Sequence, residues 1–351
     1  MEHQDSLVLD PSLAPLLLLE SSHGGGAETE SCSSHGAVVA DETTEETTDD
    51  DGAVFLYRIP KRQLLPATSG FFDYLLNSDT SWITPQGWVL MVDPSTRAAS
   101  LRDPFTSRTV RLPSDQERLL PASDGYTRCL LSTHQPADPG CVVLVIHLKD
   151  PVLWYCGSSA GDSRWLRYEH QSELIAKDFV SWAMGRLTAA GGKFYTFLEQ
   201  DNKLVALEFS PGPIFSTTHA AVITAPWPPG FYQAGLVESC GDLFVVRFSF
   251  ERSCCLRTMD IYVYKLVSSR NAWVKVDKLG DTRVFFFGRD MEMFGASMAA
   301  DDEVGLKANC IYFTRDHDKG LYVYDTMTWS KEPPPYTTLD GTFQILQRLY
   351  F

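Results

Sequence analysis

His317 stands between two acids, Asp316 and Asp318, in the stretch CIYFTRDHDKGLYVYD (310–325). An imidazole flanked by carboxylates can ligate a metal ion or relay a proton. A second stretch, GSSAG (157–161), fits the G-x-S-x-G pattern around Ser159. That pattern makes a nucleophile only where a strand feeds a strained turn into a helix, with the hydroxyl exposed beside backbone N–H donors. The flanks argue otherwise in both places. VLWYC before GSSAG and DSRWLRYEH after it both read as strands, so a Gly/Ser hairpin loop accounts for all five residues. D-H-D-K-G joins IYFT to LYVYD in the same manner, with Asp favouring the turn and Gly320 able to take a positive φ. Similar clusters, EQDNK (199–203) and DPST (93–96), join other strands, so the histidine belongs to a series of turns. No second histidine sits at a metal-ligand spacing from it, and the eight cysteines show no C-x-x-C pair. The chain also lacks G-x-G-x-x-G, a phosphate-cradling P-loop and H-E-x-x-H. The expectation is a protein with no catalytic residue, no cofactor and no metal: not an enzyme.

Binding surfaces are better represented. APWPPGFYQ (225–233) places Trp227, Phe231 and Tyr232 in a Pro-rich segment, which a central strand would not tolerate. SKEPPPYTT (330–338) is a second Pro-rich connection and carries Tyr336. Aromatic side chains on rim loops serve as anchors at protein interfaces. These four residues are the candidate protein-binding rim.

The elements that would position them are short and extended. From Gly52 onward, runs of Val, Ile, Leu, Phe, Tyr and Trp alternate with turn clusters at a spacing of roughly ten residues. WVLMVDPSTRAASLRDPFTSRTVRLP (88–113) reads as strand, turn, strand, turn, strand, and VVLVIHLKDPVLWYCGSSAGDSRWLRYEH (142–170) repeats the rhythm. An aromatic recurs near the outer end of several units: Trp165, Trp273 and Trp329. Only SELIAKDFVSWAMGRL (172–187) has a helical spacing. Meanders of about four strands in units of about 45–50 residues are the pattern of a β-propeller. Residues 52–351 accommodate about six such four-stranded blades. Both ends of this region, AVFLYRIP (53–60) and TFQILQRLYF (342–351), read as strands, and pairing them in one blade would close the ring without exposed edges.

Charge divides the chain in two. Residues 1–51 hold thirteen Asp or Glu and no Lys or Arg, while the rest balances 32 acids against 30 bases. Residues 20–51 are Gly, Ser, Thr and acid, too poor in apolar surface to offset the entropy of ordering. The expectation is a disordered acidic head over 1–51, with Thr43, Thr47 and Thr48 each followed by an acid three residues on. No basic stripe is available to neutralise a phosphate backbone, which excludes nucleic acid as a partner. The run Leu13–Leu19 is too short to cross a bilayer, and the acidic head would be repelled by an anionic membrane surface. Cysteines in or beside apolar runs behave as small reduced hydrophobes. The expected setting is the cytoplasm or nucleus, and the expected state is a monomer.

Residues 87–113, GWVLMVDPSTRAASLRDPFTSRTVRLP, resemble a segment of the plant KIB-type β-propeller family, whose members are often carried behind an F-box. LVESCGDLFVVR (236–247), VYKLVSSRNAWVKVDKLGDTRVFFFGRD (263–290) and MAADDEVGLKANCIYFTRD (298–316) resemble it further, in matching order. Asp103 stands where the family often has Asn, a change that still suits a turn. The resemblance implies a propeller with protein partners, among them the scaffold components of a ubiquitin ligase. It departs upstream: an F-box is a three-helix element with a leucine-rich opening, and none is visible in Met1–Asp51. Two roles follow, a substrate-recognition component or an F-box-less scaffold or decoy. A channel-centred enzyme is the third.

Overall fold

The structure is a computed structural model. It describes residues 16–21, 54–59, 63–66, 78, 80–106, 108–123, 126–158, 164–169, 186–198, 201–222, 231–251, 254–288, 294–300, 306–314, 320–326, 335–338 and 343–350.

The described strands form six sheets, four with four strands and two with five. The chain opens with β1 (Leu16–Ser21), β2 (Val54–Arg58) and β3 (Gln63–Pro66). A four-stranded meander follows: β4 (Ser81–Ile83), β5 (Val89–Val92), β6 (Ala99–Arg102) and β7 (Thr109–Arg111). The next is β8 (Thr127–Leu131), β9 (Val142–His147), β10 (Val152–Gly157) and β11 (Leu166–Glu169). Then come β12 (Thr188–Ala190), β13 (Lys193–Leu198), β14 (Lys203–Phe209) and β15 (Pro213–His219). The fifth sheet comprises β16 (Ala221–Val222), β17 (Phe231–Ser239), β18 (Asp242–Glu251), β19 (Cys254–Val267) and β20 (Ala272–Val276). The sixth holds β21 (Arg283–Gly288), β22 (Phe294–Ala299), β23 (Cys310–Thr314), β24 (Gly320–Asp325) and β25 (Pro335–Thr338). Finally β26 (Phe343–Tyr350) pairs with β1.

This is an all-β propeller. Strand β8 contacts both β4 and β12, β12 contacts β17, and β17 contacts β22, so one strand from each of five sheets lines up around an axis. Apolar side chains fill each wedge between neighbouring sheets. One cluster joins Trp82, Leu90 and Leu101 to Cys129, Val143 and Trp154; another joins Leu144 and Leu153 to Phe194 and Leu207. One wedge is aromatic: Phe248 lies edge-on to Phe287 at 5.4 Å and to Phe313 at 5.3 Å. Strands buried on both faces read as unbroken apolar runs, which is why VVLVIH and RVFFFG sit mid-sheet.

Polar stitches bind the inner strands in a repeating register. Trp82 Nε1 donates to Thr127 Oγ1 at 3.0 Å, and Gln86 Nε2 donates to the Leu131 carbonyl at 3.1 Å; each pair is 45 residues apart. Arg186 Nη1 reaches the Ala234 carbonyl at 3.1 Å and Thr188 Oγ1 the Leu236 carbonyl at 2.9 Å, each across 48 residues. Ser297 Oγ donates to the Glu238 carbonyl at 2.7 Å, across 59. Equal separations for successive stitches mean that these inner strands run in one direction, and the separation is the length of a blade. Gln86 also accepts the Leu131 N–H at 3.2 Å, so its amide closes a two-bond ring between sheets. Gln86→Ala leaves that backbone pair without its partner and is expected to cost about 1–3 kcal/mol, read as a lower urea midpoint with an unchanged m-value.

The paired DP turns form as local chemistry dictates. Asp93 Oδ1 accepts the N–H groups of Ser95 (3.0 Å) and Thr96 (2.6 Å). Asp103 Oδ1 does the same for Phe105 (2.9 Å) and Thr106 (3.2 Å). The Thr96 N–H, followed by the Ser95 hydroxyl, holds the Asp93 carboxyl down to about 2. Trp165 and Trp273 are buried: Trp165 Nε1 donates to the Pro113 carbonyl at 2.9 Å, and Trp273 meets Phe197 edge-on. Trp329 lies outside the described residues.

Four features differ from the sequence expectation. Leu16–Ser21, assigned above to a disordered head, forms β1 and sits between β26 and β2. Pairing of the chain's two ends therefore runs through β1. Two sheets carry a fifth strand: β16 adds in parallel to β20, and β22 folds back so that β21 and β23 lie parallel side by side. RVFFFG is apolar on both faces, as a strand covered on both faces should be, and it is paired on both edges, with β22 and β23. Cys240 is exposed in the β17–β18 turn, whereas Cys129, Cys141, Cys156 and Cys310 are buried. Burial pushes the Cys310 thiol up to about 11 and holds those of Cys129 and Cys156 well above the ordinary thiol range, as inert core thiols require. The helical stretch expected over 172–187 lies outside the described residues except for Arg186 and Leu187, and the rest of the acidic head lies outside them entirely. No helix among the described residues is long and apolar enough to cross a membrane.

Candidate functional site at the mouths of the propeller channel

Strand β17 spans the channel wall and presents one candidate at each end. Tyr232, near its start, is 39% exposed, and the Arg247 guanidinium carbon lies 3.0 Å from its ring centroid. Arg247 itself is buried on β18. A buried cation beneath an exposed ring fixes the ring in place while leaving its other face to solvent. Phe231 begins β17 beside it; its side chain, Trp227 and the remainder of the Pro-rich connection lie outside the described residues. Tyr336 lies on β25, the outermost strand of the neighbouring sheet, three strands beyond β21. At about 4.8 Å per strand, it stands well away from the axis on which Tyr232 sits. Phe231 and Tyr232 share one strand end, and Tyr336 is remote from them. His317 and Ser159 fall outside the described residues, while the neighbouring Gly157 ends β10.

At the other end of β17, Glu238 faces a depression of about 350 Å³, open solvent included. Pro85, Gln86, His134, Thr188, Gly295 and Ser297 also line it, so five sheets converge there. His134 Nε2 lies 2.7 Å from Glu238 Oε2, and Glu238 Oε1 accepts the Gly241 N–H at 2.6 Å. His134 follows β8, and Glu238 lies on β17 with the β12 sheet between them, so the pair spans the mouth. The Glu238 hydrogen bond holds the His134 imidazolium above the ordinary histidine range. Burial raises the Glu238 carboxyl, but His134, the Gly241 N–H and the Arg283 charge outweigh it and bring it below the usual carboxylate range. Among the described residues no group of three or more His, Cys, Asp or Glu could hold a metal ion. Sequence reasoning missed this pair because its members are 104 residues apart. The usable signal was the repeat register: each residue follows or ends an inner strand.

The pair gives a bounded pH dependence. A raised histidine stabilises fully below its unfolded value of 6.5 and loses that contribution as pH climbs through the higher folded value. A lowered carboxyl stabilises above its unfolded value of 4.5 and loses the contribution as pH falls through the lower folded value. The stability difference between the wild type and His134→Ala is therefore expected to be greatest between pH 4.5 and 6.5 and to shrink on both sides. With the His134 side chain 65% exposed, solvent screening limits it to about 0.5–1 kcal/mol. Urea midpoints of the two proteins across pH check it.

The KIB1-4 beta-propeller family model matches residues 56–325. The chain belongs to that family. Its relatives include two F-box proteins of Arabidopsis thaliana. At2g17036 is 25% identical over 275 residues, covering 68% of this chain and 65% of the relative. At2g05970 is 23% identical over 275 residues, covering 71% and 66%. The chain thus spans just under two thirds of the length of these relatives. Among solved structures, the beta-propeller domain of Cps50 (Swd1) from Myceliophteria thermophila is 10% identical over 81% of each chain, with a TM-score of 0.31. That superposition is too loose to equate residues.

Proposed function

We propose that this KIB propeller is a non-catalytic protein-interaction module that serves as a substrate-recognition component related to F-box ubiquitin-ligase receptors. The observation that carries the reading is the family match across 56–325, with F-box proteins among the chain's relatives. In this reading the propeller works in the cytoplasm or nucleus, and the sheet β26–β1–β2–β3, which brings Leu16–Ser21 beside the strands of 54–350, is a further blade next to the five whose inner strands line the axis. Trp227, Phe231, Tyr232 and Tyr336 belong to the partner-binding rim, with Tyr232 its fixed anchor on Arg247. No nucleic acid, membrane or cofactor takes part, and the working state is a monomer.

One observation favours a second reading, an F-box-less scaffold or decoy. The apolar run ahead of the propeller is spent on β1, paired on both edges, and so does not serve as the leucine-rich opening of a helical F-box. Affinity capture with the tagged full chain from plant extract separates the two. Recovery of a cullin and a Skp-type adaptor supports the receptor; partners without them support the scaffold; no specific partner overturns both. Tyr232→Ala together with Trp227→Ala is expected to lower partner recovery at least about tenfold, the loss of a central aromatic anchor. Replacing residues 22–53 with a short turn that preserves β1 tests whether the acidic segment reaches the scaffold.

A further inference from the structure

The mouth beside Glu238 is rich in acceptors whose own protons are already committed. Thr188 Oγ1 gives its proton to the Leu236 carbonyl, and Ser297 Oγ gives its proton to the Glu238 carbonyl. Each oxygen keeps lone pairs on the lining of the depression. Glu238 Oε1 is engaged by the Gly241 N–H, which leaves Oε2 as the outward carboxylate atom. His134 occupies that atom with an exposed ring, while the Glu238 side chain is only 11% exposed. The walls between these oxygens are Pro85, Ala189, Gly295 and Ala296, short or ring-closed side chains that leave a slot. Nearby Asp242 is committed to Arg283 at 3.0 Å and Lys265 at 2.8 Å, so Glu238 is the carboxylate available at the mouth.

We propose that this slot receives the guanidinium of an arginine on a protein partner, with Glu238 as counter-ion, Ser297 and Thr188 as acceptors, and His134 as the chain's own stand-in when the partner is absent. The proposal rests on the protein-interaction reading above and adds the chemistry of one contact. A guanidinium carries five N–H donors in a planar fork and no acceptor, the complement of three convergent oxygens. An ammonium offers a point charge and fits the same oxygens less specifically. An anion or neutral group would displace the imidazolium and leave a largely buried carboxylate unpaired, which is strongly unfavourable. Exchange of one cation for another avoids that cost. Competition follows: protonated His134 holds the slot, and deprotonation as pH rises frees Glu238 for the partner's arginine.

The test uses the full chain and N-acetyl-arginine amide as probe, with N-acetyl-citrulline amide as its neutral, nearly isosteric control, followed by calorimetry or amide NMR. The arginine probe is expected to bind at least about tenfold more tightly than the citrulline probe, a difference of about 1.4 kcal/mol. Its affinity should rise as pH climbs above 6.5 and His134 loses its proton. His134→Ala should strengthen binding and remove that pH dependence. Glu238→Gln should reduce the arginine probe to the level of citrulline, and Ser297→Ala, a gentler variant, should weaken it several-fold. Equal binding of the two probes, insensitivity to both Glu238→Gln and Ser297→Ala, or no saturable binding by His134→Ala at the higher pH would each overturn the slot. Partners still captured by wild type under any of those results would leave the interaction reading standing; no partner captured at all would remove that reading whatever the probe does.

Discussion

Gly295→Ala is expected to destabilise the propeller by about 3 kcal/mol, more than its single added methyl suggests. A Cβ built on Gly295 would lie 2.6 Å from Phe287 Cε1 and 2.7 Å from the Leu236 carbonyl oxygen. Neither neighbour is free to yield. Phe287 is 2% exposed and wedged edge-on against Phe248, and the Leu236 carbonyl is fixed by the Thr188 hydroxyl. Gly295 is thus where β22 approaches β17 closely enough for Ser297 to reach Glu238. A larger residue would separate the fifth and sixth sheets along the channel wall. Chemical denaturation of the purified chain measures the loss, and adding Phe287→Leu to the Gly295→Ala variant should recover part of it by removing the ring contact. A Gly295→Ala midpoint equal to wild type would mean that the two strands do not meet there.

The second large effect is expected at Asp115. Its side chain is fully buried and accepts the N–H groups of Leu119 at 2.7 Å and Leu120 at 3.3 Å while pairing with Arg97. Arg97 is held in a left-handed conformation (φ 57°) at the end of the Asp93 turn, and its carbonyl accepts the Asp115 N–H at 2.9 Å. One carboxylate therefore ties the DPST turn to the loop that leaves β7. Asp115→Ala leaves a largely buried guanidinium without its counter-ion and two N–H groups without acceptors, at a cost of about 3–5 kcal/mol. Asp115→Asn keeps an acceptor oxygen and should cost roughly half as much. A loss below about 1 kcal/mol in Asp115→Ala would show the network to be dispensable.

What was legible in the sequence is what acts over a few residues. Asp93 and Asp103 announce their turns because a short carboxylate reaches N–H groups two and three positions on, and nothing distant can override that. VVLVIH and RVFFFG announce buried strands through composition alone. The recurrence of such runs reveals a propeller, since each unit leaves an apolar face that only its neighbour can cover. What was not legible acts across the ring. LLLLES is separated from β2 by an acidic stretch and pairs on its other edge with the far end of the chain, so no local pattern marks it as a strand. The position of β22 inside β21 depends on contact with β17, a neighbour from another sheet. His134 and Glu238 meet because both follow the register of the inner strands, and their identities carry no mutual signal. Of the proposed rim residues, Tyr232 was singled out as part of a Pro-rich connection but stands on strand β17, and its support from Arg247 comes from the adjacent strand.

In the proposed ring, the closing sheet pairs β1 with β26. In that sheet Leu18 stands opposite Leu346 on antiparallel β1 and β26, and cross-strand Cα pairs lie about 4.5–5.5 Å apart, within disulfide reach. The direct measurement is oxidation of the Leu18→Cys, Leu346→Cys double variant, compared with each single variant on a non-reducing gel and by thermal unfolding. A closed ring predicts a reducible, compact monomer formed only in the double variant, with a raised melting temperature. A double variant that forms no such link, or links only after unfolding, would contradict closure through β1 and β26.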